Sequence, residues 1–245
     1  NFSPLVVKVC SKCFLAQTID FFKEDEIFTK NYPYFSSSSQ FFLQHARNFS
    51  EVITEELSLN HKSFVVEIAS NDGYLLNNFK RKKIPHLGIE PTKSTAAVSR
   101  KKGIRTIEKF FSRKTATLVK KNFSKADLII GNNVLAHVPN LNDFVSGLKY
   151  LLKDEGTITL EFPHLLNLIK FNQFDTVYHE HFSYFSIFSL KECLRKHGLR
   201  IYKINKINVH GGSLRIYLTH DKSSIKTLNS VNQIIKEEKK FGLNK

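Results

Sequence analysis

The chain has 245 residues, enough for one large domain or one domain with an appendage. With 41% apolar residues a core can form, yet no apolar run approaches the ~20 residues that a membrane-crossing helix needs, and no signal peptide is visible. The net charge of +15 fits either lysine-rich coding bias or an anionic partner; the basic residues are scattered rather than striped, so bias with a small phosphorylated ligand is expected.

Three cysteines cannot build a disulfide framework, so a reducing, cytosolic setting is the expectation. The sequence has no Met and opens on Asn1, which points to a piece of a longer protein lacking its N-terminus. Near the start, NFSPLVVKVCSKCFLAQ holds Cys10-x-x-Cys13. Two thiolates at this spacing are half of a tetrahedral zinc set, although two buried thiols read equally well. NYPYFSSSS (31–39) reads as a linker. Residues 40–58 place Phe42, Ala46, Phe49, Ile53 and Leu57 on one face at helical spacing.

Strand and helix then alternate. SFVVEIASNDGYLL is a β-branched run, a turn and a helix start. HLGIEP (86–91) is a strand, followed by a helix closed by Gly103. ADLIIGNN (126–133) is a third strand, 142–156 a helix facing Phe144, Leu148, Leu151 and Leu152 inward, and TITLEFP (157–163) a fourth strand. This order predicts a doubly wound, mainly parallel sheet. Residues 164–185 are aromatic-rich and resist assignment. SLKECLRKHG (189–198) reads as a helix, with Ser189 and Glu192 as a capping box and Cys193 in the core. Two strands flank His210-Gly211-Gly212-Ser213, and 224–245 is a polar helical tail.

In such a sheet the ligand crevice lies at the carboxyl edge, which picks out three places. The turn Glu67–Gly73 can present backbone N–H groups and a helix N-terminus, while Glu90, ending the next strand, can accept from ribose hydroxyls. His137 follows the third strand. In TVYHEHFSYF (176–185), His179 and His181 are two apart, whereas zinc proteases need H-E-x-x-H. If extended, Tyr178 and Glu180 face one way and the histidines the other. An acid–base cluster, a polar loop and a metal site remain open at this point. HGGS lacks a G-x-S-x-G partner, so a hydrolase is excluded, and Arg215 suits a phosphate, a carboxylate or a strand surface.

EIASNDGYLL, GIEP, NNVLAHVPN, LEFP, YHEHFSYF and HGGSLRIY, in that order, resemble the sugar C-methyltransferases. These are class I S-adenosylmethionine (SAM) enzymes that act on nucleotide-linked 4-keto-deoxysugars. The resemblance implies a Rossmann-like α/β fold with residues 1–39 as the remnant of a zinc module and linker. Residues 40–185 would be the SAM-binding core, and 186–245 the end of that core and the start of a sugar-binding domain. It implies SAM held by Glu67, Ala69, Asn71, Asp72 and Gly73, with Glu90 on the ribose and Asn132 and Asn133 beside the adenine and methionine parts. The family has glycine where Ala69 stands. It further implies His181 as the base that takes the proton beside the ketone, with Tyr178, Glu180, His137 and Tyr32 supporting it. His179 would be structural. Zinc would belong to the full-length parent, with Cys10 and Cys13 its second pair. A histidine suits this base because its pKa lies near neutrality. A monomer with no membrane or nucleic-acid partner is expected. The competing readings are a basic nucleic-acid-binding protein with a methyltransferase-like fold and zinc module, and a methyltransferase for another small molecule.

Overall fold

The structure is a computed structural model that describes residues 4–19, 27–29 and 33–244. Two sheets form. The small one joins β1 (Val7–Val9), β2 (Ala16–Thr18) and β8 (Ser183–Tyr184), all antiparallel. The large one has seven strands in the order β5-β4-β3-β6-β7-β10-β9. Its members are β3 (Val65–Ile68), β4 (His86–Ile89), β5 (Thr106–Ile107), β6 (Ala126–Asn132), β7 (Leu152–Pro163), β9 (Leu199–Ile207) and β10 (Ser213–His220). Strands β3 to β7 pair in parallel, and β10 runs antiparallel between β7 and β9. The alternation of the sequence thus yields the expected doubly wound sheet, with one reversed strand.

Burial on both faces explains why β3 and β6 carry consecutive apolar residues, Val65-Val66 and Leu128-Ile129-Ile130, rather than an alternating pattern. Val66, Ile68 and Ile129 face a layer formed by α4 (Arg113–Asn122), α5 (Leu141–Leu151), α7 (Ile187–Lys196) and α8 (Asn229–Phe241). Val65, Leu128 and Ile130 face α1 (Gln40–Glu56) and α2 (Leu76–Arg81). Helix α3 (Lys93–Lys101) links β4 to β5. The apolar face expected for α1 is the buried one: Ala46, Phe49 and Ile53 are at most 3% exposed. Fully burying a side chain the size of Phe49 or Ile53 contributes about 1.5–3 kcal/mol.

Three local expectations change. Helix α5 ends at Leu151 rather than Gly156, because Leu152 turns extended and pairs with Ala126 to start β7. Helix α7 starts at Ile187, three residues before the expected first turn. Ser186, not Ser189, is the N-cap: its hydroxyl accepts from Ser189 N, and Ser189 Oγ accepts from Ser186 N. Glu192 plays no part in this box. The earlier start places Ile187 and Leu190 in the core. The unassigned 164–185 stretch contains α6 (Leu165–Lys170), a 3-10 turn (Phe174–Thr176) and β8.

Helix α8 is locked to the domain by one carboxylate. Glu238, fully buried, accepts from the N–H groups of Ile187 (2.7 Å) and Phe188 (2.9 Å) and contacts His164 Nε2 at 2.7 Å. It occupies the positive end of α7, where unpaired N–H groups favour an anion.

Candidate active site

A cleft of about 740 Å³ opens at the carboxyl ends of β3, β4, β6 and β7. One half is rich in hydrogen-bond acceptors. Ala69 (φ 53°) and Asn71 (φ 49°) adopt left-handed backbone, bending the chain sharply between β3 and α2. The bend is pinned from two sides. Glu90 accepts from Asn71 N at 2.8 Å and from Thr92 N and Oγ1 at 3.0 and 2.6 Å. Asn71 accepts from Ser36 N at 2.9 Å and donates to the Tyr34 carbonyl at 3.0 Å, clamping the 34–36 segment over the loop.

Ala69, Asn71, Glu90, Asn132 and Asn133 line this half, and Glu67 lies buried at the end of β3. Burial, then the charges of Glu90 and Asp72, raise the Glu67 pKa well above the usual carboxylate range. Glu67 Oε2 and the Oδ1 atoms of Asn132 and Asn133 are buried without a partner among the described residues. Orphaned acceptors of this kind call for donors from a ligand. An amino group and ribose hydroxyls, as in SAM, meet that need.

Asp72 and Gly73 stand apart from the cleft wall. Asp72 turns to Lys102 Nζ (2.9 Å) and the Ser37 hydroxyl. At Gly73 (φ 75°), a Cβ would fall 2.5 Å from Ile104 Cδ1 and 2.7 Å from Ser99 Oγ, so glycine serves packing against α3.

The other half holds imidazoles. His181 Nδ1 lies 2.8 Å from the Thr176 carbonyl. A carbonyl oxygen only accepts, so Nδ1 carries the hydrogen and Nε2 keeps its lone pair. Tyr178 OH donates to that Nε2 at 3.0 Å. His137 Nδ1 likewise donates to the Glu180 carbonyl at 2.8 Å, and the rings of His137 and His181 are 4.7 Å apart. Burial lowers the His181 pKa. Burial, then the His181 charge, lowers His137 to about 4. Both are therefore neutral at pH 7. Burial, then the charges of Glu180 and Tyr184, push the Tyr178 hydroxyl up to about 12, and burial raises Glu180. The small sheet braces this segment: Thr18 Oγ1 donates to the His181 carbonyl at 2.9 Å.

Among the expected catalytic residues, His137, Tyr178, Glu180 and His181 converge on the cleft. Tyr32 lies outside the described residues. His179 contacts the Pro4 carbonyl at 3.3 Å. Cys10 and Cys13 are free thiols, and no group of three or more His, Cys, Asp or Glu side chains able to hold a metal forms among the described residues. Backbone N–H groups of Cys13 and Lys12 lower the Cys10 pKa. These two thiols alone do not make a zinc site. Cys193 packs against the core, and burial lifts its thiol to about 11.

Arg215 meets a carboxylate. Its Nε donates to Glu161 Oε1 at 2.5 Å, and His45 Nε2 lies 3.0 Å from Glu161 Oε2. Burial acts to raise the Glu161 pKa, but the His45 hydrogen bond and the Arg215 charge outweigh it and hold it low. The sequence reading missed His45 and Glu161 in this cluster, and His210 and Gln173 in the cleft wall. HGGS held the only local signal, and it was read through its glycines.

Residues 42–204 match the family model of a methyltransferase domain. The C-methyltransferase NovU of Streptomyces niveus is 32% identical over 240 residues, covering 98% of this chain and 57% of its own length. The chain therefore spans little more than half of that curated relative. A SAM-dependent methyltransferase of Anabaena variabilis is 14% identical, with a TM-score of 0.55 over 71% of this chain and 83% of its own. The magnesium protoporphyrin IX methyltransferase of Synechocystis PCC 6803 with bound SAH is also 14% identical, with a TM-score of 0.55 over 80% and 91% of the two chains. These structures share the class I SAM-methyltransferase fold expected from the sequence. With more than half of its residues inside the matched stretch, the chain belongs to the methyltransferase domain family.

Proposed function

We propose that this chain is the catalytic part of a SAM-dependent C-methyltransferase that acts on the carbon beside the ketone of a nucleotide-linked 4-keto-deoxysugar. The observation that carries this reading is the Tyr178–His181 pair in the wall of the cleft that holds the orphaned acceptors: the His181 Nδ1–H is tied to the Thr176 carbonyl, and its Nε2 accepts from the Tyr178 hydroxyl. The 32% identity to a C-methyltransferase supports carbon as the acceptor.

SAM would be held by the Ala69–Asn71 bend, Glu90, Asn132 and Asn133, with Glu67 beneath, and when bound it supplies an electrophilic methyl group. The chain's own residues prepare the carbon that receives it. A C–H bond beside a ketone breaks, and its electron pair delocalises onto the ketone oxygen. The Tyr178 oxygen receives the proton as the Tyr178 hydroxyl hydrogen passes to His181 Nε2, 3.0 Å away. His181 is thus the base that finally holds the proton, and the half-buried Glu180 carboxylate favours the imidazolium. His137, neutral and tied to the Glu180 carbonyl, fixes the loop that carries both. No step is routed through zinc: Cys10 and Cys13 make half of a tetrahedral donor set, and no metal-holding group completes it among the described residues.

The test uses the full-length protein and candidate nucleotide-linked 4-keto-6-deoxysugars in D2O. Deuterium entering the carbon beside the ketone reports proton removal separately from methyl transfer. His181→Asn is expected to keep SAM affinity within about twofold and to abolish both readouts, because a positioned base contributes roughly 10²–10⁴-fold. Unchanged turnover in that variant removes His181 as the base. Wild-type protein that exchanges no deuterium with any 4-keto sugar overturns the substrate class.

A further inference from the structure

We infer that His210 is a further catalytic residue, whose Nδ1–H donates a hydrogen bond to the substrate's ketone oxygen as charge develops there. This role rests on the 4-keto reading above.

His210 begins the turn between β9 and β10 and lines the cleft. It is the first of three consecutive left-handed residues, at φ 47°, 72° and 108° for His210, Gly211 and Gly212. Glycine adopts such backbone freely. A histidine there costs on the order of 1–2 kcal/mol, and such strain persists where the surroundings over-determine it. Here they do. Gln173 Nε2 donates to the Gly211 carbonyl at 2.8 Å, and Asn167 Nδ2 donates to the Gly212 carbonyl at 3.0 Å. The His210 ring packs on Phe42, with centroids 5.4 Å apart. The strained position therefore holds the one side chain of the HGG turn against the cleft.

The partner of the ring fixes its tautomer. Asn133 Nδ2 lies 3.2 Å from His210 Nε2. An amide NH2 only donates, so Nε2 accepts and the neutral ring carries its hydrogen on Nδ1. Among the described residues, no acceptor takes that hydrogen. Burial keeps the His210 pKa below its usual value despite the nearby Glu161 carboxylate. The ring thus offers a neutral donor.

The chemistry needs such a donor. When the carbon beside the ketone loses its proton, the C–H electron pair becomes a C=C bond and the carbonyl π pair moves to oxygen. Tyr178 is engaged with His181 Nε2 throughout, as donor and then as relay. The Tyr184 hydroxyl is buried close to the Tyr178 backbone and is not part of the cleft wall. The oxygen is left to a donor on another wall. The His181 pKa responds to His210, and both rings line the same cleft, so the base and the donor stand near one another. No proton leaves His210; its N–H bond only polarises toward the oxygen.

Two variants separate donor from scaffold. His210→Gly removes the donor and relieves the backbone, so the turn keeps its shape. His210→Asn tolerates left-handed backbone and restores an N–H donor. With the full-length protein and a 4-keto sugar in D2O, His210→Gly is expected to keep SAM affinity within about twofold. Its deuterium exchange and methyl transfer should fall together by roughly 10²–10³-fold, the usual effect of losing one oxyanion donor. His210→Asn should recover at least about tenfold of that loss. Exchange in His210→Gly at the wild-type rate, or no recovery in His210→Asn, overturns the role. Absence of exchange in the wild-type protein overturns the ketone reading, and this role with it, whereas loss confined to the variants leaves that reading standing.

Discussion

Ala69 stands at φ 53° in the loop that lines the acceptor-rich half of the cleft. A Cβ in left-handed backbone costs about 1–2 kcal/mol, while glycine in its place adds about 0.4–1 kcal/mol of unfolded-state entropy. Ala69→Gly is therefore expected to stabilise the domain by up to about 1 kcal/mol, a melting shift of roughly 2–4 °C, and to bind SAM at least as well. Markedly weaker binding by calorimetry would contradict the position assigned to this loop. Residues at this scale were legible where chemistry and neighbours were both local. Tyr178, Glu180 and His181 stood out as a polar group inside an aromatic stretch, and all three reach the cleft. The ion pair of Asp72 with Lys102 left no local signal, because the two lie 30 residues apart in sequence. His210 was passed over because glycines next to it offered a simpler reason for the motif.

Among the elements, α7 shows how a helix start is decided by mutual satisfaction rather than by residue type. Ser189 and Glu192 have the spacing of a capping box, yet Ser186 and Ser189 form it, and the side chain of Ser189 returns the bond to Ser186 N. Ser186→Ala should cost about 1 kcal/mol in urea unfolding, whereas Glu192→Ala, with only an exposed contact to Arg195, should change stability by less than about 0.5 kcal/mol. Equal effects would show that the earlier cap is not the one in use. Strands β3, β4 and β6 were legible because two-sided burial demands continuous apolar runs. The 152–156 stretch was not, because LKDEG continues a helical pattern and only pairing with Ala126 makes it strand. The pieces of 164–185 were hidden for a similar reason: β8 has two residues and exists through its pairing with β2.

At the scale of the whole molecule, the cleft is assembled from distant parts of the chain, and its buried histidines tie stability to pH. The His137 pKa is about 4 folded, against an ordinary 6.5. Below pH 6.5 the unfolded chain binds a proton that the folded one refuses. Stability from this group is thus complete above pH 6.5, falls as pH drops towards 4, and in total amounts to about 3 kcal/mol at most. Urea unfolding between pH 7 and 4 should show this slope, and His137→Gln should flatten it; a slope unchanged in the variant would exclude His137 as its source. The doubly wound layout was legible from the alternation of strand and helix. The clamp of Asn71 and Asp72 on residues 34–37 was not, since hydrogen bonds between polar side chains leave no periodic trace. Long-range bonds of this kind also set an order of events during synthesis. The first N–H groups of α7, at Ile187 and Phe188, end on a carboxylate that is made about 50 residues later. Until Glu238 has left the ribosome, those donors have only water, and the helix that follows YHEHFSYF waits with a frayed first turn.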